Sequence, residues 1–320
     1  MRNAFALLAL ACASAAALGQ GYPNKPIRLV VGFAPGGAAD IIARTMSDPL
    51  AQALGQGIIV DNRPGAGSSV AAELVAKAPP DGYTIMIASQ SGMIINPLIN
   101  KNVGYNPTRD FVALTQVTSS PLVVAVNPAL KVTSIAELIA AAKASPGRLN
   151  YATSGNGSLP HLATTLFSAL AGVQMVHVPY KSGGQSVQSV LAGDTQVTFA
   201  TAPSVMPLVQ SGRLRGIAVT TRARSALIAG LPGMEEAGLP GYNVSIWYGF
   251  FAPAGLQRDI AQRLFRATVQ ALKDPKLKQV LATDGTEALA SSSPDAFAAF
   301  LREESEVLAR VIRESGAKFD

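Results

Sequence analysis

The sequence predicts an α/β protein of two lobes, each a mostly parallel sheet flanked by helices, with the chain crossing between the lobes twice. Its length of 320 residues suits two domains of ordinary size. Apolar strands alternate with amphipathic helices through short loops, which is typical of βαβ units and of parallel strands. One strand–loop–helix design recurs about 120 residues further along the chain, which places one copy in each lobe.

The composition fits this fold class and argues against some functions. Apolar residues make up 48% of the chain, enough for sizeable cores, while aromatic residues make up only 6%. The formal net charge is +6, and the basic residues are scattered without a Lys/Arg run. This pattern does not indicate nucleic-acid binding, although a basic protein mildly attracts acidic solutes.

The N-terminus has the pattern of a secretory signal peptide over residues 1–19. Arg2 precedes an Ala/Leu-rich run over residues 4–18 that is too short for a membrane-spanning helix. We expect cleavage near Gly19, so that the mature chain is exported, and an uncleaved N-terminal anchor is the alternative. The only cysteine, Cys12, lies in this segment, so the mature chain is expected to fold without disulfides.

The first lobe is predicted over residues 20–121 and 222–320, and the second over 122–221. The chain crosses near Pro121, before an apolar β run, and returns after a strand over residues 215–221. In the first lobe we expect strands at 27–31, 58–60 and 83–88, and helices at 38–52, 69–77, 258–273, 275–283 and 294–314. In the second we expect strands at 122–126, 149–152, 175–178 and 197–200. Helices are expected after Ser134 and after Ser158, from about Gln185 to Ala192, and after Thr201 as far as Ser211.

The first candidate site is the turn that joins strand 27–31 to its helix. Gly36 and Gly37 lack a Cβ and let an anion approach the main chain closely. The following helix start has backbone N–H groups without intrahelical partners and a partial positive charge. Neither a dinucleotide motif nor a P-loop is present, so the site suits a group of carboxylate or phosphate size. An ordinary strand-to-helix turn is the alternative.

The second candidate site repeats this design over residues 153–161. The hydroxyls of Thr153, Ser154 and Ser158 and the free N–H groups of a helix start can hold a second anionic group. We interpret His161 as a packed helix-start residue and His177 as a core residue, and neither as a catalyst. A solute with two carboxylates would use one site in each lobe, and the lobes would close on it like a hinged clamp.

Enzymatic motifs and metal-ligand clusters are absent from the sequence. It has no G-x-S-x-G or H-E-x-x-H motif, no cysteine in the mature chain, and 2 histidines. No cofactor or metal is therefore expected. Lys181 is suited to contact an acidic solute, and a Schiff-base lysine is the enzymatic alternative.

Several motifs together resemble the Bug-type solute receptors of tripartite tricarboxylate transporters. They lie at residues 27–37, 61–67, 80–84, 178–181, 236–241 and 247–249, and the resemblance covers nearly the whole mature chain. It implies a periplasmic two-lobed binding protein (Venus flytrap fold), monomeric, that carries a carboxylate solute to a membrane permease. A ligand-binding sensor subunit of a signalling system is the alternative. Members of this family often carry an acid near Ala200, and its absence here implies an organic acid without an amino group.

The resemblance and the two candidate sites together give the residues expected to contact the solute. Asp40 is included, although its place in the first helical turn also suits it to capping. The residues are Phe33, Pro35, Gly36, Gly37, Asp40, Ala88, Ser89, Ser91, Thr153, Ser154, Gly155, Asn156, Gly157, Ser158, His161, Tyr180, Lys181, Gly184, Ala200 and Thr201.

Overall fold

The computed structural model of the protein describes residues 21–314. The predicted signal peptide, with Cys12, and residues 315–320 lie outside the described range. The strands are β1 (Ile27–Val31), β2 (Ile58–Asn62), β3 (Thr84–Ser89), β4 (Phe111–Val126), β5 (Asn150–Thr153), β6 (Val176–Pro179), β7 (Val197–Thr201), β8 (Arg215–Val219), β9 (Ser245–Pro253) and β10 (Glu287–Ala288). The α-helices are α1 (Ala38–Leu54), α2 (Ser69–Ala76), α3 (Asn96–Ile99), α4 (Ile135–Ala144), α5 (Leu159–Ala171), α6 (Gly183–Ala192), α7 (Ala202–Gln210), α8 (Arg258–Ala271), α9 (Pro275–Thr283) and α10 (Pro294–Glu314). Turns of 3₁₀-helix cover Ala66–Ser68 and Pro128–Leu130, and a π-helical turn covers Ser91–Ile95.

The strands form one 10-stranded sheet in the order β2-β1-β3-β9-β4-β7-β5-β6, with β8 and β10 also paired to β4. β2, β1 and β3 are parallel to one another, as are β6, β5 and β7. The predicted parallel units are therefore present in both halves. β4 and β9 run antiparallel to their neighbours, since neither belongs to a βαβ unit, and each half is a mixed sheet.

The long strand β4 passes through both halves of the molecule. Residues up to Pro121 pair with β9, and Pro121 itself lies opposite Ser245. From Leu122 onward the strand pairs with β7 and β8. Proline has no N–H to give to a ladder, so it suits the point at which a strand changes partners. This first crossing is therefore a continuous strand and not a loop.

A single buried threonine connects the two crossings. Thr220 follows β8 and is 0% exposed. Its hydroxyl accepts a hydrogen bond from the Leu122 N–H at 2.8 Å and donates to the Val244 carbonyl at 2.7 Å. Main-chain bonds join Thr220 to the same two residues. The strand that leaves the first half and the segment that returns to it are thus tied side by side.

The larger hydrophobic core lies between the sheet and the helices of the first half and extends into the second. Trp247 on β9 packs edge-on against Phe297 of α10, with ring centroids 5.7 Å apart. Phe167 of α5 and Phe199 of β7 are fully buried in the same cluster. A smaller cluster, which includes Val123 of β4, fills the other face of the second half. Each half therefore has its own packed face, and β4 contributes to both.

The predicted elements are present, most with ends within a few residues of those observed. After β3, a π-helical turn over Ser91–Ile95 precedes α3. The lobe limits at residues 121 and 222 stay a prediction. The change of strand partners at Pro121 and Leu122 supports the first of them.

We expect Thr220→Val to lower the free energy of unfolding by about 1–3 kcal/mol, because it leaves a buried N–H and a buried carbonyl without their partner at constant side-chain volume. Thr283→Val is the matched control, since the Thr283 hydroxyl bonds only the exposed Gln279 carbonyl. Its effect should stay within about 0.5 kcal/mol. Urea denaturation measures both, and equal losses in the two variants would contradict the role given to Thr220.

Candidate functional site

A cavity lies between the two lobes, where the carboxyl ends of the parallel strands meet. It encloses about 380 Å³ of free space, partly open to solvent. Its closed interior has room for only about one or two water molecules. This closed conformation leaves no room for a solute of several carbons, so the lobes have to separate for one to bind. The lining residues are Phe33, Gly37, Ala38, Ala39, Ser91, Ser154, Pro160, Gly183, Ser186, Ala200, Thr201, Ile246 and Tyr248.

The lobes are in direct contact around the cavity. The Ala34 N–H donates to the Lys181 carbonyl at 3.1 Å, and the Leu159 N–H donates to Ser91 Oγ at 3.0 Å. A Cβ at Gly184 would lie 2.5 Å from the Gly36 carbonyl oxygen, so only glycine permits this approach. These contacts define a closed conformation.

Four helices begin at the cavity. Its lining includes Ala38 and Ala39 of α1, Pro160 of α5, Gly183 of α6 and Thr201 at the start of α7. The first N–H groups of a helix have no intrahelical partners, and the helix dipole places roughly half a positive charge there. Ser158 and Ser182 cap α5 and α6 with their side chains. No side chain caps α1 or α7, so their first N–H groups are suited to an anionic ligand.

Asp40 holds the first loop in place. Its carboxylate accepts hydrogen bonds at 3.0 Å from the Gly36 N–H, from Arg44 Nε and from Asn62 Nδ2. Burial acts to raise the pKa of Asp40, but these bonds outweigh it and the pKa is lowered. Gly36, at φ +83°, adopts the left-handed conformation that this turn requires. The geometry therefore gives Asp40 a positioning role, as its place in the first helical turn suggested.

Several hydroxyls of the second loop serve the protein itself. Thr153 Oγ1 accepts from the Gly155 N–H at 3.1 Å and lies 2.6 Å from His177 Nε2. Ser158 Oγ accepts from the His161 N–H at 3.3 Å. These two side chains shape the loop, whereas Ser154 lines the cavity.

The two histidines stack on each other next to this loop. The rings of His161 and His177 are nearly parallel, with centroids 3.9 Å apart. Burial, with the charge of His177 adding to it, lowers the pKa of His161 to about 3, and burial lowers the pKa of His177 to about 4. Both are neutral at neutral pH and supply no positive charge to an anion. His161 has the packed position that the sequence indicated, whereas His177, expected in the core, is only half-buried.

The structure brings some of the predicted contact residues to the cavity and places others beside it. Phe33, Gly37, Ser91, Ser154, Ala200 and Thr201 line it. Pro35, Gly36 and Lys181 are exposed, and the Tyr180 hydroxyl donates to Ser189 Oγ at 2.6 Å. The others that do not line it are Asp40, Ala88, Ser89, Thr153, Gly155, Asn156, Gly157, Ser158, His161 and Gly184. Contact of any of these residues with a solute stays a prediction.

Sequence reasoning missed the contribution of β9. Ile246 and Tyr248 line the cavity, while Trp247 between them packs against α10. Side chains of a strand alternate between its two faces, so the sequence shows that Ile246 and Tyr248 share a face opposite to that of Trp247. Nothing local in the sequence indicated that one face of this strand meets the cavity. The other lining residues that were missed are Ala38, Ala39, Pro160, Gly183 and Ser186.

The cavity is mainly apolar, with hydroxyl groups among its lining residues and without charged side chains. Among the described residues that line it, none carries a formal charge at neutral pH. Its donors are hydroxyls and main-chain N–H groups at helix starts. Between residues 21 and 314, no three His, Cys, Asp or Glu side chains are arranged to hold a metal ion. In the same part of the chain, no helix has the length and apolarity needed to cross a membrane.

Comparison with known families identifies the kind of protein that has this site. A family described as the tripartite tricarboxylate transporter family receptor matches residues 42–317. The chain belongs to this family. The resemblance inferred from the sequence motifs is therefore confirmed, and the receptors of this family are periplasmic solute-binding proteins of two lobes.

Individual relatives agree with this assignment over nearly the whole chain. The protein BugT of Bordetella pertussis is 34% identical over 93% of this chain and 91% of its own length. The solved structure of Rpa4515 of R. palustris with adipate has a TM-score of 0.89 and 33% identity, and covers 92% of this chain and 99% of its own. MatC of Rhodopseudomonas palustris with bound malate has a TM-score of 0.86 and 27% identity, and covers 91% of this chain and 100% of its own.

We expect Gly37→Val to weaken binding of a carboxylate solute at least tenfold without loss of fold. The backbone at Gly37 has φ −87°, which any residue adopts, so the substitution causes no backbone strain. The two γ-methyl groups of valine would occupy space needed by the anion at the start of α1. Titration calorimetry measures the affinity, and thermal unfolding checks the fold.

Gly37→Ala is the matched control for this variant. A Cβ at this position lies 3.4 Å from Ser182 Cβ, an ordinary contact. Its affinity should stay within about threefold of wild type, a difference of less than 1 kcal/mol. A folded valine variant that binds as tightly as wild type would contradict the placement of the anion at Gly37.

Proposed function

We propose that this chain is an extracytoplasmic receptor that captures a small organic acid between its lobes and delivers it to the membrane permease of a tripartite transporter. One observation carries the proposal: four helices begin at an interlobe cavity, and no charged side chain of residues 21–314 lines it. The protein binds its solute without chemical change, acts as a monomer and needs no cofactor.

The physics of the cavity favours a carboxylate. Each charge-assisted hydrogen bond from an N–H or hydroxyl to an anion contributes on the order of 1.5–3 kcal/mol. A handful of them therefore gives micromolar binding or better after the cost of ordering the solute. A buried ammonium would need a carboxylate partner, because an unpaired buried charge is prohibitive. Ala200 and Thr201 offer none, and the carboxylate of Asp40 is held by Gly36, Arg44 and Asn62.

The relatives support the same solute class. The structure of Rpa4515 contains adipate, and that of MatC contains malate. Both are dicarboxylates, and both proteins share the fold of this chain. The family assignment supports a periplasmic location and a permease partner. Export through the signal peptide predicted at residues 1–19 is part of the proposal.

We expect small mono- and dicarboxylates to stabilise the protein in a thermal-shift panel, and aspartate and glutamate not to. A solute at a hundredfold excess over its dissociation constant adds about 2.7 kcal/mol to the free energy of unfolding. The panel should cover acids of two to six carbons at one pH and constant ionic strength, with sodium chloride as the anion control. Stabilisation by the acidic amino acids alone would overturn the solute class, and no stabilisation by any acid would overturn the proposed function.

A further inference from the structure

Tyr248 is held firmly in the wall of the interlobe cavity. It lies in β9, opposite Ser89 of β3 on one side and Thr118 of β4 on the other. Its side chain is 5% exposed and lines the cavity together with Ile246, the next residue on the same face of the strand. Because the strand is paired on both edges, the position of the ring is set by the sheet and not by a mobile loop.

The hydroxyl of Tyr248 differs from the other tyrosine hydroxyls. The chain has 7 tyrosines, all within the described range. Six hydroxyls have hydrogen-bond partners: those of Tyr22, Tyr83, Tyr105, Tyr151, Tyr180 and Tyr242. For Tyr248, no group among residues 21–314 lies in hydrogen-bonding position to the hydroxyl. The hydroxyl oxygen is not sealed off by protein, because it faces the cavity, where water or an acceptor on a ligand can pair with it.

The chemistry of the cavity defines what that partner must be. Burial raises the pKa of Tyr248, and no charged side chain lowers it again, so the hydroxyl keeps its proton and acts as a donor. The cavity lining contains no carboxylate that could accept from it. An acceptor on a bound solute would meet this need.

We infer that the Tyr248 hydroxyl donates to a second acceptor group of the solute, separate from the carboxylate that the helix N-termini bind. This inference rests on the proposed function and narrows it. The carboxylate lies at the starts of the helices, the apolar part of the solute contacts Phe33 and Ile246, and the second acceptor reaches the β9 wall. The solutes that fit are dicarboxylates and acids that carry a hydroxyl or oxo group remote from the carboxylate.

The test compares two ligand series on two variants by titration calorimetry. The ligands are straight-chain diacids of three to six carbons and monoacids of the same chain lengths. In the wild type, a diacid should bind more tightly than the monoacid of equal length. Tyr248→Phe should weaken diacid binding about tenfold, equivalent to about 1.4 kcal/mol, and leave monoacid binding unchanged. A loss confined to the diacids indicates a lost contact with their second carboxylate, whereas a general change of cavity shape would weaken both diacids and monoacids.

Thermal unfolding of the ligand-free protein adds a second readout. Tyr248→Phe removes a hydroxyl that no protein group uses, so the melting temperature should stay equal or rise. Tyr242→Phe is the matched control. The Tyr242 hydroxyl is buried and donates to the Ala163 carbonyl at 2.8 Å, so this variant should melt at a lower temperature and bind diacids as the wild type does.

The outcomes are distinct. If no acid of either series binds the wild type, the proposed function fails. If acids bind but Tyr248→Phe binds diacids as tightly as wild type, or loses both series equally, the inference is overturned while the receptor function stands. Tighter binding of monoacids than of diacids by the wild type would also overturn it.

Discussion

The proposed function depends on one electrostatic requirement, the neutralisation of a buried anion without a charged side chain. Main-chain N–H groups can meet it only where helices begin, because elsewhere in a helix they are already paired. Four helices therefore start at one cavity, α1 from the first half and α5, α6 and α7 from the second. Close approach of the halves requires a glycine at position 184, since a Cβ there would meet the Gly36 carbonyl oxygen.

Closure of the lobes follows from the same requirement. The attraction between N–H dipoles and an anion is stronger when water is excluded, because the local dielectric constant is then lower. Contacts such as Ala34 to Lys181 bring the two loops together over the cavity. The segments that connect the two halves lie side by side, since β4 continues from one half into the other and Thr220 binds it to the returning segment. Because only these paired segments join the halves, we expect the lobes to rotate about them with little change in either core.

The sequence predicted the parts of the site that depend on local signals. The Gly36–Gly37 turn before an amphipathic helix and the capping serine at 158 are readable from neighbouring residues. Tyr248 was not predicted, because its place at the cavity depends on sheet order, with β9 inserted between β3 and β4. The hydroxyl of Thr153 was predicted to bind solute, yet it lies against His177, and residue type alone does not show which group takes a hydroxyl. Lys181 contributes its carbonyl and not its exposed ammonium group to the closed site.

The central claim is that the main chain, and no cationic side chain, holds the carboxylate. A ¹H–¹⁵N correlation spectrum of the labelled protein, titrated with a binding acid, tests it most directly. Amide protons that donate to an anion move downfield, so the account predicts saturable downfield shifts for Ala38, Ala39 and Gly183, all of which line the cavity. Unchanged amides at these three positions, together with a large shift of the Lys181 ammonium signal, would contradict it.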